Sequence, residues 1–401
     1  MRSQIRVPFA FAAALALLSG CQRRGLQELV REELFPLSLG KLEDQLDLFQ
    51  SDGVMGENVN IVMSDGLFYI GSGNAGKIMV FTSYGDLIFL LYNPKTNPVP
   101  VLLSETTGAD TVSTRGCVSF PFVSIGRIAV SGDKTLYVED GVPEGRGVAD
   151  NASGAFLDRV VLRFDRKGKP IGYLGQEGVG GTPFPYVTGL FVTARDELVV
   201  TCRLPATHEV FWYSREGLLL YRMEIDPGRL PQEKGLIPSL TNLMPDMQNP
   251  TLYLMIHYYR ETIDEATKSV SSIETASSRV YALDAGTGAY GKYVELPPNP
   301  SRKEKAGFKT TEIPTPPNEL LGVGAGGFFY LLGFLDANLY ALTVLDGSGR
   351  VRERRYMVIE DSELTYRDIR LSPNGLVYGL LCDDSRVHVS RWRSDLLLKG
   401  D

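Results

Sequence analysis

The feature that most constrains the fold of this chain is a short unit of strand and turn signals that recurs along it. Residues 66–91, GLFYIGSGNAGKIMVFTSYGDLIFLL, contain three apolar runs separated by turn residues. Runs of this length, rich in aromatic and β-branched side chains and bounded by Gly, Asn, Ser and Asp, are typical of strands joined by tight turns. The stretch therefore predicts three β-strands.

The same unit occurs six times. Each copy begins with a polar or glycine turn and an apolar run, and a second run follows. The first runs are at 66–70, 134–138, 196–200, 250–254, 327–331 and 375–379. Five copies then have a glycine turn that leads to another strand, at Gly85, Gly168, Gly217, Gly288 and Gly349.

An upstream apolar run precedes most copies, at 59–63, 125–130, 187–192 and 369–371. Six units of four strands, with no helical periodicity between them, predict an all-β fold, a six-bladed β-propeller of four-stranded antiparallel blades. The physical reason for a ring is that one small sheet cannot bury both its faces, whereas blades stacked around an axis cover one another. The remaining length lies in loops at 93–122, 139–157, 259–278 and 297–319.

The sixth copy runs out of sequence with one strand missing. We expect that strand to come from residues 41–48, just before the first blade, so that the two ends of the chain are tied together. The apolar run 396–398 is the alternative. Between 26 and 34 the spacing of apolar residues favours a short helix that ends before Pro36.

The N-terminus resembles the signal of a bacterial lipoprotein. Two arginines precede an apolar stretch at 7–18 that is too short to span a bilayer comfortably. The motif Leu-Ser-Gly-Cys that ends at Cys21 resembles the lipobox, in which the signal is cut before the cysteine and the cysteine is acylated. The resemblance implies lipidation of Cys21 and a stable membrane anchor. An ordinary secretory signal followed by a chance cysteine is the alternative.

These features divide the chain into three parts. Residues 1–20 are the signal peptide, 21–36 a lipidated tether with a possible short helix, and 37–401 a single propeller. The expected location is the bacterial cell envelope, with the protein lipid-anchored to the inner or the outer membrane and its body in the periplasm or at the surface.

The first copy also resembles an NHL repeat, a propeller-forming sequence unit. The matching residues are Asn74, Lys77, Ile78, Val80, Phe81 and Gly85. Together with the lipobox, this resembles a family of spirochaete-type lipoproteins of unknown function. The resemblance implies an NHL-like propeller in which Asn74 and Lys77 help to build the blade.

Charge and cysteine content exclude some functions. Removal of residues 1–20 takes away two arginines and no acid, which leaves 39 Lys+Arg against 48 Asp+Glu. This acidic balance argues against nucleic-acid binding. Beyond Cys21, the chain has Cys117, Cys202 and Cys382, so at most one intramolecular disulfide can form among them. Buried structural thiols are favoured over a redox or metal role.

No constellation of catalytic residues emerges from the sequence. The three histidines, His208, His257 and His388, fall at different places in their repeats, so ring symmetry would not bring them together. Acids near blade loops could serve as calcium ligands, as in propeller lactonases, or simply as turn residues. They are Asp140, Asp246, Asp336, Asp368, Asp383 and Asp384. No catalytic, cofactor-binding or metal residue is assigned, and no cofactor is expected.

Aromatic residues near strand ends give a weaker hint. They could form a contact surface for a protein or glycan, or pack between blades. They are Phe184, Tyr186, Tyr253, Tyr258, Tyr259, Phe334 and Tyr340.

The sequence thus favours a membrane-anchored envelope lipoprotein whose propeller is a protein-binding or scaffolding module. Its partners would be the membrane, through acyl chains on Cys21, and an envelope protein, and nothing indicates an oligomer. The alternatives are a propeller-type hydrolase, lactonase or lyase with an axial metal, and a sensor of small ligands or glycans, since one fold carries many functions.

Overall fold

Six sheets surround one axis in the computed structural model, which describes residues 27–48, 59–103, 115–264, 267–299, 302–306, 309–313 and 315–398. Each blade is a four-stranded antiparallel meander whose first strand is innermost. The six first strands contact one another in a closed circle. The predicted fold class, an all-β, six-bladed propeller, is therefore confirmed.

The strands follow in chain order. The chain begins with β1 (Gln27–Glu28) and β2 (Arg31–Ser38). Blade 1 consists of β3 (Val59–Ser64), β4 (Leu67–Ser72), β5 (Lys77–Thr82) and β6 (Leu87–Tyr92), with β7 (Gly116–Ser119) outside β6. Blade 2 consists of β8 (Ile128–Val130), β9 (Leu136–Gly141), β12 (Arg159–Phe164) and β13 (Pro170–Gly175), with β14 (Gly178–Val179) outside β13 and a separate hairpin of β10 (Val148–Asp150) and β11 (Ala155–Leu157). Blade 3 consists of β15 (Tyr186–Val192), β16 (Leu198–Arg203), β17 (His208–Tyr213) and β18 (Leu219–Ile225).

The second half of the ring continues the pattern. Blade 4 consists of β19 (Ile237–Pro245), β20 (Thr251–Ile263), β21 (Val270–Asp284) and β22 (Tyr290–Glu295), followed by a hairpin of β23 (Arg302–Ala306) and β24 (Lys309–Ile313). Blade 5 consists of β25 (Glu319–Gly324), β26 (Phe328–Asp336), β27 (Leu339–Leu345) and β28 (Val351–Val358). Blade 6 takes β29 (Tyr366–Leu371), β30 (Val377–Cys382) and β31 (Arg386–Trp392) from the C-terminal end. Three single 3-10 turns lie at Pro227–Arg229, Asp361–Glu363 and Ser394–Leu396.

The core is divided among the interfaces between blades. Six apolar clusters of buried side chains are present, one at each interface of neighbouring blades. Because a blade packs on both sides, its middle strands are buried on both faces, as in β5, where the five residues Lys77 to Phe81 are all buried. This explains why the repeat appears in the sequence as continuous apolar runs and not as strict alternation.

The ring is closed by a different segment from the one expected. The fourth strand of blade 6 is β2, which pairs antiparallel with β31 from Arg31 opposite Trp392 to Ser38 opposite Arg386. Residues 41–48 were the wrong prediction: they form a loop in which Leu46 and Leu48 are buried in the cluster between blades 6 and 1. The alternative, 396–398, is also wrong, because the chain makes a 3-10 turn there.

The predicted short helix before Pro36 is wrong as well. Residues 27–28 and 31–38 are strands. Pro36 fits because β2 is the outermost strand of its sheet, where the missing N–H breaks no pairing. Phe35 and Leu37 are both buried, so pairing and burial outweigh the helix-like spacing of the preceding apolar residues.

The predicted glycine turns join third to fourth strands and pack against the preceding blade. A Cβ added at Gly168, where φ is +76°, would lie 2.4 Å from the Phe89 side chain on β6. At Gly85, Gly217 and Gly349 the nearest atoms would also belong to an outer strand of the preceding blade, at 2.8 to 3.1 Å. Only at Gly288, in blade 4, would an added Cβ meet nothing within 4 Å.

Lys77 shows how the predicted blade-building residues act. Its side chain is fully buried, and Nζ donates to the carbonyl oxygens of Lys41, at 3.2 Å, and Leu42. Through these two hydrogen bonds Lys77 holds the loop 41–48, which follows the closing strand β2, against blade 1. Burial lowers the pKa of Lys77 to about 8, although nearby Asp47 opposes this shift.

Candidate functional site

The two faces of the ring differ in the length of their connections. In an antiparallel meander, connections from second to third strands and from one blade to the next share one face, and the remaining connections share the other. We call the face with the connections from first to second and from third to fourth strands the short-turn face, and every connection on it has two to five residues. We call the opposite face the insertion face, and it holds the long connections 39–58, 93–127, 142–158 and 296–318. Three of the four loops expected from the sequence, 93–122, 139–157 and 297–319, belong to the insertion face. The fourth, 259–278, is on the same face but is mostly strand, because β20 and β21 extend through it as a hairpin.

Exposed apolar side chains follow the same asymmetry. Among the described residues, the short-turn connections contain two large exposed apolar side chains, Tyr84 and Leu218. The connections and projecting hairpins of the insertion face contain eleven: Leu42, Val99, Val101, Leu102, Val123, Val148, Phe156, Val179, Ile263, Val270 and Ile273. Contiguous exposed apolar patches on soluble proteins often mark contact sites.

The largest projection is the hairpin of blade 4. β19 pairs with β20 only as far as Tyr259, and β22 pairs with β21 only from Arg279 onward. Between these two residues β20 and β21 pair only with each other, so they project beyond the sheet as a two-stranded ribbon. Ile263 lies opposite Val270, and Ile273 lies opposite Glu261. Cross-strand partners and residues two positions apart share a face, so the three β-branched side chains lie on one side of the ribbon.

A central channel runs between the six first strands. Its cavity measures about 310 Å³ and is lined by every blade. Polar side chains of the first strands tie each of four blades to the next. The bonds are Asn60 Nδ2 to the Gly126 oxygen at 2.8 Å, Arg127 Nη1 to the Val187 oxygen at 2.8 Å, Asn242 Nδ2 to the Leu320 oxygen at 3.1 Å, and the Ile61 N–H to Asp368 Oδ2 at 3.2 Å.

Two arginines are the charged residues that line the channel cavity. Arg370 Nε lies 2.7 Å from Asp368 Oδ1, and the Arg370 side chain is still 45% exposed to the channel. Arg127 Nη1 lies 3.7 Å from Glu139 Oε2. Burial raises the pKa of the Glu139 carboxyl, an effect opposed by the backbone N–H and guanidinium of Arg127. The channel lining is thus mixed: most of its side chains are apolar, and each of its two guanidinium groups lies beside a carboxylate of its own blade.

The histidines do not converge, as expected from their places in the repeats. His208 lies on β17 in blade 3, His257 on β20 in blade 4 and His388 on β31 in blade 6. His257 Nδ1 bonds Ser278 Oγ at 2.7 Å, and His388 lies between Glu33 and Asp383. Within the described ranges, no three His, Cys, Asp or Glu side chains are grouped closely enough to hold a metal ion.

Most of the acids near loops act in turns. The Asp140 carboxylate accepts the N–H groups of Val123 and Ser124, and Asp383 accepts those of Ser385 and Arg386. Asp246 caps a turn in the same way, through the N–H groups of Gln248 and Asn249. Asp336 accepts the N–H of Ala337, and Asp384 is exposed in a hairpin turn. Of the six, Asp368 is the one that pairs with an arginine of the channel, Arg370.

The aromatic and cysteine predictions have mixed outcomes. Phe184, Tyr258 and Tyr340 are buried between strands, Tyr253, Tyr259 and Phe334 are partly buried, and Tyr186 is 57% exposed. Cys117, Cys202 and Cys382 are all buried, and none is in a disulfide among the described residues. Burial raises the pKa of both the Cys202 and the Cys382 thiols, which agrees with a structural role.

Cys21 and the lipobox lie outside the described residues. Within them, the structure contains no helix with the length and apolar character needed to cross a membrane. The described chain begins at β1, which pairs in parallel with β28 on the outer edge of blade 5.

No family model matches the chain, and no curated protein matches it. Among solved structures it is similar to the Dos1 propeller, at 13% identity and a TM-score of 0.37, over 91% of this chain and 95% of that one. It is similar to streptogramin B lyase at 13% identity and a TM-score of 0.37, over 90% and 97% of the two chains. It is also similar to a glucose dehydrogenase at 9% identity and a TM-score of 0.40, over 90% and 99%. At these identities the likeness concerns the fold alone.

Proposed function

We propose that the protein is a lipid-anchored lipoprotein of the bacterial envelope whose propeller binds a partner protein through its insertion face. The observation that carries the proposal is the asymmetry of the ring. The long connections of one face contain eleven exposed apolar side chains, whereas the short turns of the other face contain two. The NHL-like first repeat and the lipobox agree with a family of envelope lipoproteins.

The anchor restricts where the ring can lie. Five residues lie between Cys21 and Gln27, and an extended chain spans at most about 3.6 Å per residue, so these six steps reach no further than about 22 Å. Gln27 is paired with Arg355 on the outer strand of blade 5. With acyl chains on Cys21, that rim stays close to the membrane, and the insertion face remains open at blades 2 to 4.

Site-specific crosslinking in cells tests the binding face. A photo-crosslinking amino acid is placed at Phe156 or Ile273 on the insertion face, and at Tyr84 or Leu218 on the short-turn face as matched exposed controls. The same envelope protein should crosslink from both insertion-face positions and from neither control. Crosslinks of equal yield from the two faces, or from the controls alone, would contradict the proposal.

Phase partitioning tests the anchor separately. The Cys21→Ala variant should move from the detergent phase to the aqueous phase. Unchanged partitioning would exclude the lipobox and leave the crosslinking result to be judged on its own.

A small anionic ligand in the channel is the second candidate function. It is favoured by Arg370, which bonds Asp368 through Nε while much of its side chain remains exposed to a cavity of about 310 Å³. A rise in melting temperature with a set of small carboxylates and phosphates, absent in Arg370→Gln, would support it. An equal response of the variant would exclude it.

A further inference from the structure

Three blades extend their outer edge with a fifth strand from this chain. In blade 1, β7 pairs in parallel with residues Phe89 to Tyr92 of β6. In blade 5, β1 pairs in parallel with Arg355 and Tyr356 of β28, and in blade 2, β14 pairs antiparallel with the end of β13. In each case the added strand lies along the C-terminal half of the fourth strand. The outer edges of this ring therefore accept an extended polypeptide at a recurrent position.

Blade 3 has the same edge without the added strand. Among the described residues, β18 pairs with β17 and with no other strand. One isolated bridge joins Leu218, just before β18, to Gly178 of blade 2. A strand edge of this kind presents a row of backbone N–H and C=O groups that can pair with another chain.

The neighbouring blade leaves room beside this edge. At four interfaces the glycine turn between the third and fourth strands packs against the outer strand of the preceding blade. At the interface of blades 3 and 4 this contact is open, since a Cβ at Gly288 would meet nothing within 4 Å. The gap is a groove of about 600 Å³ between β18 and the turn that contains Gly288.

The groove has the lining that a bound strand needs. One wall is the continuous run from Arg222 to Asp226, which includes the C-terminal half of β18, and the other is the turn before Tyr290. The side chains of Met223 and Leu283 are almost completely buried at its base. Four residues of β18 span about 13 Å, the same length over which β7 accompanies β6.

We propose that this groove binds an extended segment of a partner polypeptide, which adds to blade 3 as a fifth strand along residues 222–225. The edge supplies backbone hydrogen bonds, and the apolar base accepts a side chain of the incoming strand. The fold itself identifies the occupant, because segments of this same chain fill the equivalent position in blades 1, 2 and 5. The groove lies on the outer rim and contains none of the exposed apolar side chains of the insertion face, so binding at one surface can be tested independently of binding at the other.

The test uses random peptides selected on the purified protein. Selected peptides should protect the backbone amides of residues 219–225 from hydrogen exchange. Two N-methylated versions of a selected peptide are compared, one methylated at odd-numbered amides and one at even-numbered amides. One version should bind about tenfold or more weakly and the other should bind unchanged, because only one set of amides faces β18. Side-chain recognition alone would give no such alternation.

Two tryptophan variants locate the site. Glu224 and Lys292 are both exposed on outer strands, and Lys292 lies on β22, where the next blade closes the interface. Glu224→Trp should abolish peptide binding, whereas Lys292→Trp should leave it unchanged, with unaltered melting of both variants as the folding control. Protection elsewhere on the ring, indifference to N-methylation, or failure to select any peptide at this edge would overturn the proposal.

Discussion

Arg391, in the third strand of blade 6, forms an ion pair with Glu32 in the N-terminal strand, with 2.8 Å between Nε and Oε2. The two residues are 359 positions apart, so this pair joins the ends of the ring. Both side chains are partly exposed, at 33% and 44%, and exposed ion pairs contribute less than about 1 kcal/mol. Apolar contacts of the same strand must supply most of the free energy that keeps the ring closed.

Phe35 is the residue whose loss should open the ring most. Its ring packs against Phe68 and Phe81, with centroids at 5.9 and 5.4 Å, and touches the turn at Gly85. Phe35→Ala should lower the free energy of unfolding by about 3–5 kcal/mol, as burial and packing are lost together. Glu32→Ala should cost less than about 1 kcal/mol. Urea denaturation measures both, and equal losses would mean that the ion pair contributes as much to ring closure as the apolar contact does.

The sequence predicted the blades well because their signals are local. A turn, an apolar run and a glycine turn lie within one short segment, and burial on both faces makes each run continuous. The closing strand was not predicted because its partner is more than 340 residues away, and its first residues, Arg31, Glu32 and Glu33, are charged and resemble a solvated segment. The helix-like spacing before Pro36 led to the wrong prediction of a helix, because pairing with a distant strand decides the structure there.

The channel could not be predicted for a related reason. Arg127, Asp368 and Arg370 come from first strands of blades that are distant in sequence, and no motif links their positions. The unequal faces were partly predictable, because long loops were visible in the sequence. Their placement on one side follows only from the order of strands in the sheets.

The turn glycines offer a matched comparison of packing. Gly168 and Gly288 occupy equivalent turns with φ of +76° and +68°, so an alanine pays the same backbone penalty at both. At Gly168, however, the new Cβ would lie 2.4 Å from Phe89, whereas at Gly288 it would meet nothing. Gly168→Ala should therefore be about 1–3 kcal/mol more destabilising than Gly288→Ala in thermal or urea unfolding. Similar losses of unfolding free energy at both sites would show that Phe89 moves aside at little cost.

The buried thiols should react only when the protein unfolds. Burial raises the pKa of Cys382 to about 12 and that of Cys202 well above its usual value, so neither forms a nucleophilic thiolate at pH 8. In a soluble Cys21→Ser variant, native protein should show no labelling by a thiol reagent, and three thiols should react in denaturant. Tyr84→Cys, at a position 88% exposed, provides a positive control that should label at once. Fast labelling of Cys202 or Cys382 in the native protein would contradict their burial.

Lys77 should make stability depend on pH in the alkaline range. Burial lowers its pKa to about 8 from 10.5, and Asp47, Asp44 and Glu43 only partly oppose this. Between these pH values the unfolded chain holds a proton that the folded chain has released, so the free energy of unfolding rises with pH. The gain approaches about 3 kcal/mol across the window and is absent below pH 8, where Lys77 is protonated in both states.

Lys77→Met isolates this effect from other titrating groups. The difference in unfolding free energy between wild type and Lys77→Met should shift in favour of the wild type from pH 8 to 10.5 and stay constant from pH 6 to 8. Lys95→Met, at an exposed position, is the matched control for the loss of one lysine charge. A constant difference for Lys77→Met would mean that the ammonium keeps its proton inside the blade. The bonds from Nζ to the carbonyl oxygens of Lys41 and Leu42 would then offset its burial in full.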